Sequence, residues 1–250
     1  MFGALSLLWL LPWSRVRLPR PAPGASAGDD PPLRALLRQR GLWGTSLGLF
    51  SANYSFYFML SWLPFYVVRE RGFSTAQMAS LTGGAYLVHA LSGLAAGWLI
   101  DRAVSRFAVA NLAYKAVMAV AHVGFVVCMV CIALAPPPWA LAAIFAYQVL
   151  DGVSSPGVFA MSQILAGPRA AARWVGIQNG CGNLAGVIAP ALTGVLIRAT
   201  GHFTAAFLVA AAVSVLGLVG WVAMIPRLAP LPWPARAGPG RELPQCSASM

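Results

Sequence analysis

Six long apolar stretches, separated by short polar or helix-breaking segments, constrain the fold of this 250-residue chain more than any other feature of its sequence. A helix that crosses the hydrocarbon core of a bilayer needs about 20 predominantly apolar residues. The stretches that reach this length are residues 41–68, 77–100, 107–134, 138–163, 174–197 and 203–225. The composition agrees, because only 9% of the residues are charged, whereas about a quarter are charged in a soluble domain. We therefore predict an all-α membrane protein with six transmembrane helices.

The distribution of the basic residues predicts how these helices are oriented. In a soluble protein the net charge of +11 would suggest a nucleic-acid partner, but Lys and Arg also accumulate in the short cytoplasmic loops of membrane proteins. If the segment before the first span is cytoplasmic, thirteen of the 17 basic residues lie on that side. Three lie on the other side, namely Arg69, Arg71 and Arg198, and Lys115 lies within a span. The sequence thus predicts a multi-pass protein of the cell (inner) membrane with cytoplasmic N- and C-terminal segments and no nucleic-acid partner.

The segments that flank the six spans differ from them in composition. The run from Phe2 to Trp13 is apolar but too short to cross a bilayer, and arginines follow it instead of preceding it as in a signal peptide. We divide the chain into residues 1–13, the end of a truncated transmembrane helix; 14–40, a basic cytoplasmic loop; 41–226, the six-helix domain; and 227–250, a cytoplasmic Pro-rich tail. The composition of this tail is typical of disorder.

The stretch from Arg173 to Gly194, RWVGIQNGCGNLAGVIAPALTG, combines small residues with side-chain amides inside one span. Small residues let transmembrane helices approach closely, and GxxxG patterns begin at Gly176 and at Gly182. At 3.6 residues per turn Asn179 and Asn183 lie on one face of the helix. We expect this face to point at a protein neighbour or a cavity and not at lipid.

Two interpretations of these amides, to which Gln178 also belongs, stay open. Either they bond neighbouring helices, or they form a substrate site, since an amide donates to and accepts from a polar solute without the cost of burying a charge. The first span offers a matching surface in NYSFYFMLSWLP, where Tyr54 and Tyr57 share a face and Asn53 lies alongside. This aromatic stripe is either a packing surface or a second binding wall.

The ionisable residues nearest to the middle of a span are His89, His122 and Asp151. An intramembrane carboxylate is a functional candidate, so Asp151 is a candidate proton relay, unless a neighbouring serine or His122 satisfies it structurally. Cys128 and Cys131 form a CxxC without a second pair or a histidine at metal-ligand spacing, so we predict no metal site and no cofactor. No nucleophile elbow, phosphate loop or metalloprotease motif occurs, and we predict that the chain is not an enzyme.

Several stretches together resemble the C-terminal half of a major facilitator superfamily transporter, in particular the anion:cation symporter branch, which contains carriers of sugar acids such as glucarate, galactonate and hexuronates. These stretches are WGTSLGLFSANYSFYFMLSWLPFYVVRERGFS, GWLIDRAVSR, LAGPRAAARWVGIQNGCGNLAGVIAPALTG and TGHFTAAF. The second is similar to the cytoplasmic G-x-L-x-D-R-x-x-x-R gating loop of the superfamily, with Gly97, Asp101, Arg102 and Arg106 in its positions.

The resemblance implies that the six spans correspond to helices seven to twelve of such a transporter. Substrate then sits at the midplane between the two halves, which rock against each other to give alternating access. The residues that would line the C-terminal wall are Asn53, Tyr54, Tyr57, Gln178, Asn179 and Asn183. In this branch the arginine that holds the substrate carboxylate and the acidic residues that couple protons belong to the N-terminal half, and no residue here matches them.

The function that the resemblance implies is proton-coupled symport of a small organic anion. H⁺, or alternatively Na⁺, is the coupling ion, and the partners are the lipid bilayer and an N-terminal six-helix half. Two alternatives stay open. The chain is a non-transporting remnant or assembly partner, in which the polar stripe only packs, or it is a carrier that works as a homodimer.

Overall fold

The computed structural model describes residues 6–16, 30–107, 110–225 and 227–233. The chain divides into two units, one formed by Met1–Asp30 with Ala235–Met250 and the other by Pro31–Pro234. In the first unit the described residues form a 3₁₀ turn, Ser6–Trp9, and a short helix α1, Leu10–Trp13. Residues 17–29 of the predicted basic loop and 234–250 of the predicted tail lie outside the described residues.

The second unit consists of helices. They are α2 (Leu33–Leu37), α3 (Arg40–Arg69), α4 (Thr75–Phe107), α5 (Ala110–Leu134), α6 (Pro137–Asn183), α7 (Ala185–Thr200) and α8 (Thr204–Leu218). A π-helical turn, Val219–Ala223, continues α8. The described residues contain no β-strand, and the all-α prediction is confirmed.

The helix ends follow from local chemistry. Ser74 and Gln77 form a capping box before α4, since the Gln77 side chain accepts from the Ser74 N–H at 2.9 Å and the Ser74 hydroxyl accepts from the Gln77 N–H at 3.3 Å. Pro136 and Pro137 stand at the start of α6, where a missing N–H costs nothing. Gly201, with a φ of 77°, ends α7 in the left-handed conformation that glycine adopts readily.

The segment 167–169 was expected to separate two spans, and the structure shows a kink there instead of a loop. Gly167 has a φ of 63° and a ψ of 173°, and helical structure resumes at Pro168. A side chain at Gly167 would strain the backbone, because this region of conformational space is essentially restricted to glycine. Helix α6 therefore has two arms, residues 137–166 and 168–183, and α7 extends the second arm.

Four helices of the described chain are long and apolar enough to cross a membrane, namely Thr75–Arg106, Ala110–Leu134, Pro137–Thr200 and Thr204–Ala223. The third of these covers 64 residues and contains the Gly167 kink, so it includes two of the predicted spans. Helix α3 is 30 residues long but is not among the four, because its serines, tyrosines and Asn53 lower its hydropathy. The count of six spans stays a prediction.

The segment from Asp101 to Arg106 was expected to be a loop, and this expectation is wrong. Helix α4 continues to Phe107, and α5 begins at Ala110. The guanidinium of Arg102 lies over the ring of Trp98, one turn earlier, at 5.6 Å from the ring centroid. The motif therefore occupies the last turns of a helix.

Two apolar clusters hold the helices together, and α3 contributes to both. Towards its C-terminal end Phe58 packs edge-on against Phe207 of α8, with ring centroids 4.8 Å apart. Towards its N-terminal end Leu42 belongs to a cluster with Trp174 and Trp221. The Trp174 indole N–H donates to the Thr45 hydroxyl at 3.1 Å, so this buried aromatic side chain also has a polar partner.

Polar side chains after α3 satisfy helix ends. Arg71 donates to the carbonyls of Ile132 at 3.3 Å and Ala135 at 3.4 Å, at the end of α5. The Glu70 carboxylate accepts from the Phe203 N–H at 3.0 Å, at the start of α8. A cation at a helix C-terminus and an anion at a helix N-terminus both interact favourably with the helix dipole. This short turn therefore joins α3, α5 and α8.

The Pro-rich tail was expected to be disordered, and residues 227–233 are instead packed against the helices. The Leu228 N–H donates to the Asn111 side chain at 2.7 Å, and the Leu231 N–H donates to the Leu165 carbonyl at 3.0 Å. The Trp233 indole donates to the Ala166 carbonyl at 2.7 Å. The tail thus donates to the carbonyls of Leu165 and Ala166, the last two residues of the first arm.

Candidate functional site

Two glycines allow α4 and the first arm of α6 to approach closely in the middle of the domain. A Cβ on Gly152 would collide with the backbone carbonyl of His89 and would lie 2.9 Å from the Cβ of Ser92. A Cβ on Gly93 would lie 3.3 Å from the Gly152 carbonyl oxygen. Such small-residue contacts replace hydrophobic association as the main source of tight packing between membrane helices.

This close approach brings together an ionisable pair. Nδ1 of His89 lies 3.2 Å from Oδ2 of Asp151. The whole Asp151 residue is only 7% exposed. The nearby serines do not bond this carboxylate, because Ser154 donates to the Asp151 backbone carbonyl and Ser155 to that of Gly152, both at 3.0 Å.

His122 does not bond the Asp151 carboxylate either. The structure therefore does not support the alternative in which a serine or His122 satisfies Asp151. Nδ1 of His122 lies 3.0 Å from the Met118 carbonyl of its own helix, its ring packs near Phe125, and a Cβ added to Gly217 of α8 would collide with it. Among the described residues, His89 is therefore the ion-pair partner of Asp151.

The His89–Asp151 pair lies in the wall of a cavity of about 210 Å³ between α3, α4 and the first arm of α6. The lining residues are Leu49, Ala52, Asn53, Phe56, His89, Asp151, Ser154, Ser155, Val158 and Phe159. We call this space the central cavity. Its wall combines apolar surface with a few convergent polar groups, which is the usual character of a small-molecule site.

A second set of polar side chains lies beside the cavity, and its member on α3 is one turn beyond Asn53. The Tyr57 hydroxyl donates to Oδ1 of Asn183 at 2.8 Å, and Nδ2 of Asn183 donates to the backbone and side-chain oxygens of Asn179, both at 2.9 Å. Asn179 and Asn183 are exposed and Tyr57 is half-buried. We call these three residues the amide cluster.

The remaining candidate residues occupy other positions. Asn53 lines the central cavity, whereas Tyr54 is 1% exposed and belongs to the apolar core. Gln178 is fully buried, and its Nε2 donates to the Val158 carbonyl at 3.4 Å, behind the cavity wall. In the described part of the chain, neither the Tyr54 hydroxyl nor Oε1 of Gln178 has a hydrogen-bond partner.

The two GxxxG patterns behave differently. A Cβ on Gly182 would collide with Leu49, a residue that lines the cavity, and a Cβ on Gly186 would lie 3.1 Å from the Tyr57 ring. Added Cβ atoms on Gly176 and Gly180 would meet no described atom within 4 Å. The second pattern thus packs against α3, and the first lies on the same open side as Asn179.

The motif from Gly97 to Arg106, at the C-terminal end of α4, lies apart from the central cavity. Gly97 faces Pro156 of α6, where an added Cβ would be at 3.7 Å, and Asp101 interacts electrostatically with Tyr114 at the start of α5. Arg102 and Arg106 lie in the last two turns of α4. The motif therefore lies where α4, α5 and α6 pack together.

Ser154 and Ser155 in the cavity wall and the pairing of His89 with Asp151 were not predicted from the sequence. The sequence contained a signal for this pairing, because Gly93 lies one helical turn after His89 and Gly152 directly follows Asp151. In the described residues, no group of three or more His, Cys, Asp or Glu side chains is placed to hold a metal ion.

A bundle of long apolar helices around a partly polar cavity is the architecture of a multi-pass membrane transporter. The sequence model of the Major Facilitator Superfamily matches residues 1–190 and, with an overlap, residues 112–245. The chain belongs to this superfamily, whose members in these comparisons are transporters and not enzymes.

Two relatives show how much of a transporter the chain covers. It is 30% identical over 236 residues to the hexuronate transporter of Bacillus subtilis (strain 168), covering 84% of this chain and 53% of the relative. It is 25% identical over 238 residues to the chloroplastic ascorbate transporter of Arabidopsis thaliana, covering 88% of this chain and 44% of the relative. The chain thus spans about half the length of these curated relatives.

Solved structures share the fold. A POT family transporter in complex with a thioalcohol-conjugated peptide superposes with a TM-score of 0.65 at 19% identity, covering 77% of this chain and 41% of that one. An inward-facing bacterial homologue of the human lysosomal transporter Spinster gives a TM-score of 0.52 at 17% identity, covering 87% and 55%. At this identity the likeness concerns the fold alone.

Proposed function

We propose that the chain supplies the C-terminal half of a secondary active transporter for an organic anion, with a sugar acid such as a hexuronate, glucarate or galactonate as the substrate. The observation that carries the proposal is the central cavity together with the amide cluster beside it. The relatives named as hexuronate and ascorbate transporters support an oxygen-rich anionic substrate.

The chemistry of the two polar groups suits a polyhydroxylated solute. Asn53 in the cavity and Asn179 and Asn183 in the amide cluster each offer both donors and acceptors, as the hydroxyl groups of a sugar acid require. The Tyr57 hydroxyl adds one more donor and acceptor. Phe56, whose ring lies 5.5 Å from that of Tyr57, provides apolar surface between the two groups.

An N-terminal six-helix half would supply the opposite wall. The central cavity has about 210 Å³, whereas complete small-molecule sites typically have about 300–1,000 Å³, so a substrate held between two halves would have the room that it needs. Rocking of the halves would give alternating access. In this proposal the complex lies in the cell (inner) membrane with both terminal segments in the cytoplasm, and H⁺ is the coupling ion, with Na⁺ as the alternative.

Co-expression tests the division into halves. The chain is produced together with the N-terminal half of the Bacillus subtilis hexuronate transporter in cells that do not take up hexuronates, and uptake of labelled glucuronate is followed. We expect uptake only when both halves are present. Absence of uptake from every combination would favour the remnant or assembly-partner hypothesis, and uptake by the chain alone would favour the homodimeric carrier.

Substitution of Asn179 tests the amide cluster in the same assay. Asn179→Ala removes the side-chain oxygen that accepts from Asn183 and should lower uptake by roughly tenfold, the equivalent of about one hydrogen bond to the solute. Cys181→Ser, a change on the same helix outside both polar groups, is the matched control. Uptake kinetics that match those of the control would remove Asn179 from the site.

A further inference from the structure

The His89–Asp151 pair stands out because it places a buried carboxylate in the wall of the central cavity. Among the described residues that line the cavity, His89 is the one that can carry a positive charge. The cavity therefore contains one basic and one acidic side chain, 3.2 Å apart, and both open onto the space proposed for the anion.

The other titratable groups around Asp151 are phenols and a thiol. Tyr86 of α4 and Tyr147 of α6 both interact electrostatically with Asp151, and neither hydroxyl has a hydrogen-bond partner within the described residues. Cys128 of α5 lies near Tyr147. These groups are neutral near pH 7, since isolated tyrosines and cysteines lose their protons only at higher pH.

Apart from the pair, the described side chains that line the cavity carry no charge. Helix α3 presents Asn53 and Phe56 to the cavity, and His122 of α5 bonds within its own helix. The charge state of the cavity wall is therefore set by how many protons the His89–Asp151 pair holds.

The protonation of the His89–Asp151 pair affects the binding of the anion through electrostatic repulsion. With one shared proton the pair is neutral overall, whereas loss of the proton leaves a net negative charge on a mostly buried carboxylate. Coulomb repulsion acts strongly in such a poorly solvated place, and an anionic substrate in the same cavity would feel it directly. Anion binding should therefore require the protonated pair, and reciprocally the bound anion should hold the proton.

We propose that His89 and Asp151 form a proton-binding site in this half, which takes up one proton when the anion binds and releases it when the anion leaves. The pair carries this proton on the His89 imidazole or on the Asp151 carboxyl, and no bond other than the one to this proton forms or breaks. This inference rests on the proposed function, because it needs the anion in the central cavity. It places a coupling site in the C-terminal half, where the family resemblance implied none.

The proton stoichiometry of glucuronate binding tests the proposal directly. The complex of the chain with the N-terminal half used in the uptake assay is purified in lipid nanodiscs and mixed with glucuronate in weakly buffered solution. A pH indicator reports proton uptake while calorimetry reports binding. At a pH above the point where the free pair loses its proton, we expect uptake of about one proton per bound anion and an affinity that falls about tenfold per pH unit. Asp151→Asn should abolish the uptake and flatten the pH dependence, because no carboxylate then repels the anion. His89→Gln should shift the pH dependence, because the carboxylate alone then holds the proton.

His202→Gln is the matched control, because His202 lies between α7 and α8 and not in the cavity wall. This variant should take up as many protons as the unmodified chain. If Asp151→Asn proves unstable, the shift expected for His89→Gln tests the pair instead. Proton uptake that persists at one per anion in folded Asp151→Asn, or an unchanged pH dependence in His89→Gln, would overturn the inference.

An anion-free measurement separates this inference from the proposed function. Infrared difference spectra of the chain between low and high pH should contain a carboxyl signal that disappears in Asp151→Asn, changes in His89→Gln and stays in His202→Gln. Lack of an Asp151-dependent signal overturns the proton site even if glucuronate binds. A normal signal together with no glucuronate binding by the two-half complex at any pH overturns the proposed function, and with it the coupling.

Discussion

At the residue scale, Tyr54 and Tyr57 show how neighbouring aromatic residues acquire different roles. Both lie on the aromatic stripe predicted for the first span. In the structure Tyr54 is buried in the apolar core, whereas the Tyr57 hydroxyl bonds Asn183 beside the cavity. Side chains three positions apart on a helix differ by about 60° in direction, since each residue turns the helix by about 100°. That difference is enough to separate the core from the binding side.

Removing each hydroxyl separately tests this distinction. Tyr57→Phe should lower glucuronate uptake by the two-half complex several-fold, because Asn183 loses a donor that orients it and the solute loses a partner, at a cost of about 1 kcal/mol. Tyr54→Phe is the matched control and should leave uptake unchanged, because its hydroxyl has no partner among the described residues. Equal losses in the two variants would contradict the assignment of Tyr57 alone to the site.

At the element scale, the second arm of α6 has two sides with different surroundings. Gly182 faces Leu49 of α3 in tight contact, while Gly180 faces no described atom within 4 Å. The two glycines lie two positions apart and belong to successive GxxxG patterns, and the sequence alone treats them alike. Only the rotation of the helix about its axis decides which of them packs.

Alanine substitutions at the two glycines should therefore have opposite effects on stability. Gly182→Ala adds a methyl group that collides with Leu49, and overpacking of this kind costs about 1–3 kcal/mol. Gly180→Ala should be neutral or stabilising by up to about 1 kcal/mol, because alanine favours helix over glycine. Unfolding of the purified chain in mixed detergent micelles measures both. A Gly182→Ala variant as stable as Gly180→Ala would refute the packing that we describe.

At the scale of the whole molecule, the structured domain has an open side that contains the amide cluster. Asn179, Gly180 and Asn183 are exposed along it, although they lie in a chain of the apolar composition typical of membrane proteins. Exposed amides in contact with lipid tails would be costly. The proposal that a second half covers this side removes that cost and places the amides against substrate.

The orientation in the membrane is tested with single cysteines on a background in which the native cysteines are replaced. Ser105→Cys near the end of α4 should be shielded from an impermeant thiol reagent added to intact cells, and Ala199→Cys near the end of α7 should react with it. Both positions are exposed, so accessibility depends on the side of the membrane. The reverse labelling pattern would contradict the orientation that the distribution of arginines predicts.

Much of the fold was predictable because its causes are local. Hydropathy along the chain placed the helices near their observed ends, from Arg40 to Arg69 for α3 and from Ala110 to Leu134 for α5. The kink at Gly167 and the helical turns around Arg102 were predicted as loops, because glycine, proline and charged residues are typical of loops as well as of helix ends and kinks. The composition of the tail did not show that Trp233 has a buried partner.

The sequence by itself determined that this protein is a helical membrane protein of a transporter family. It also determined which of its spans carry unusual polar side chains. Length, hydropathy and motifs are properties of the linear sequence, so they need no knowledge of the tertiary structure. The tertiary structure alone decided that His89 meets Asp151, that Asn183 meets Tyr57 and that Tyr54 is buried. These contacts join different helices, and they depend on how closely the helices approach and how each is rotated about its axis. No local pattern specifies that geometry.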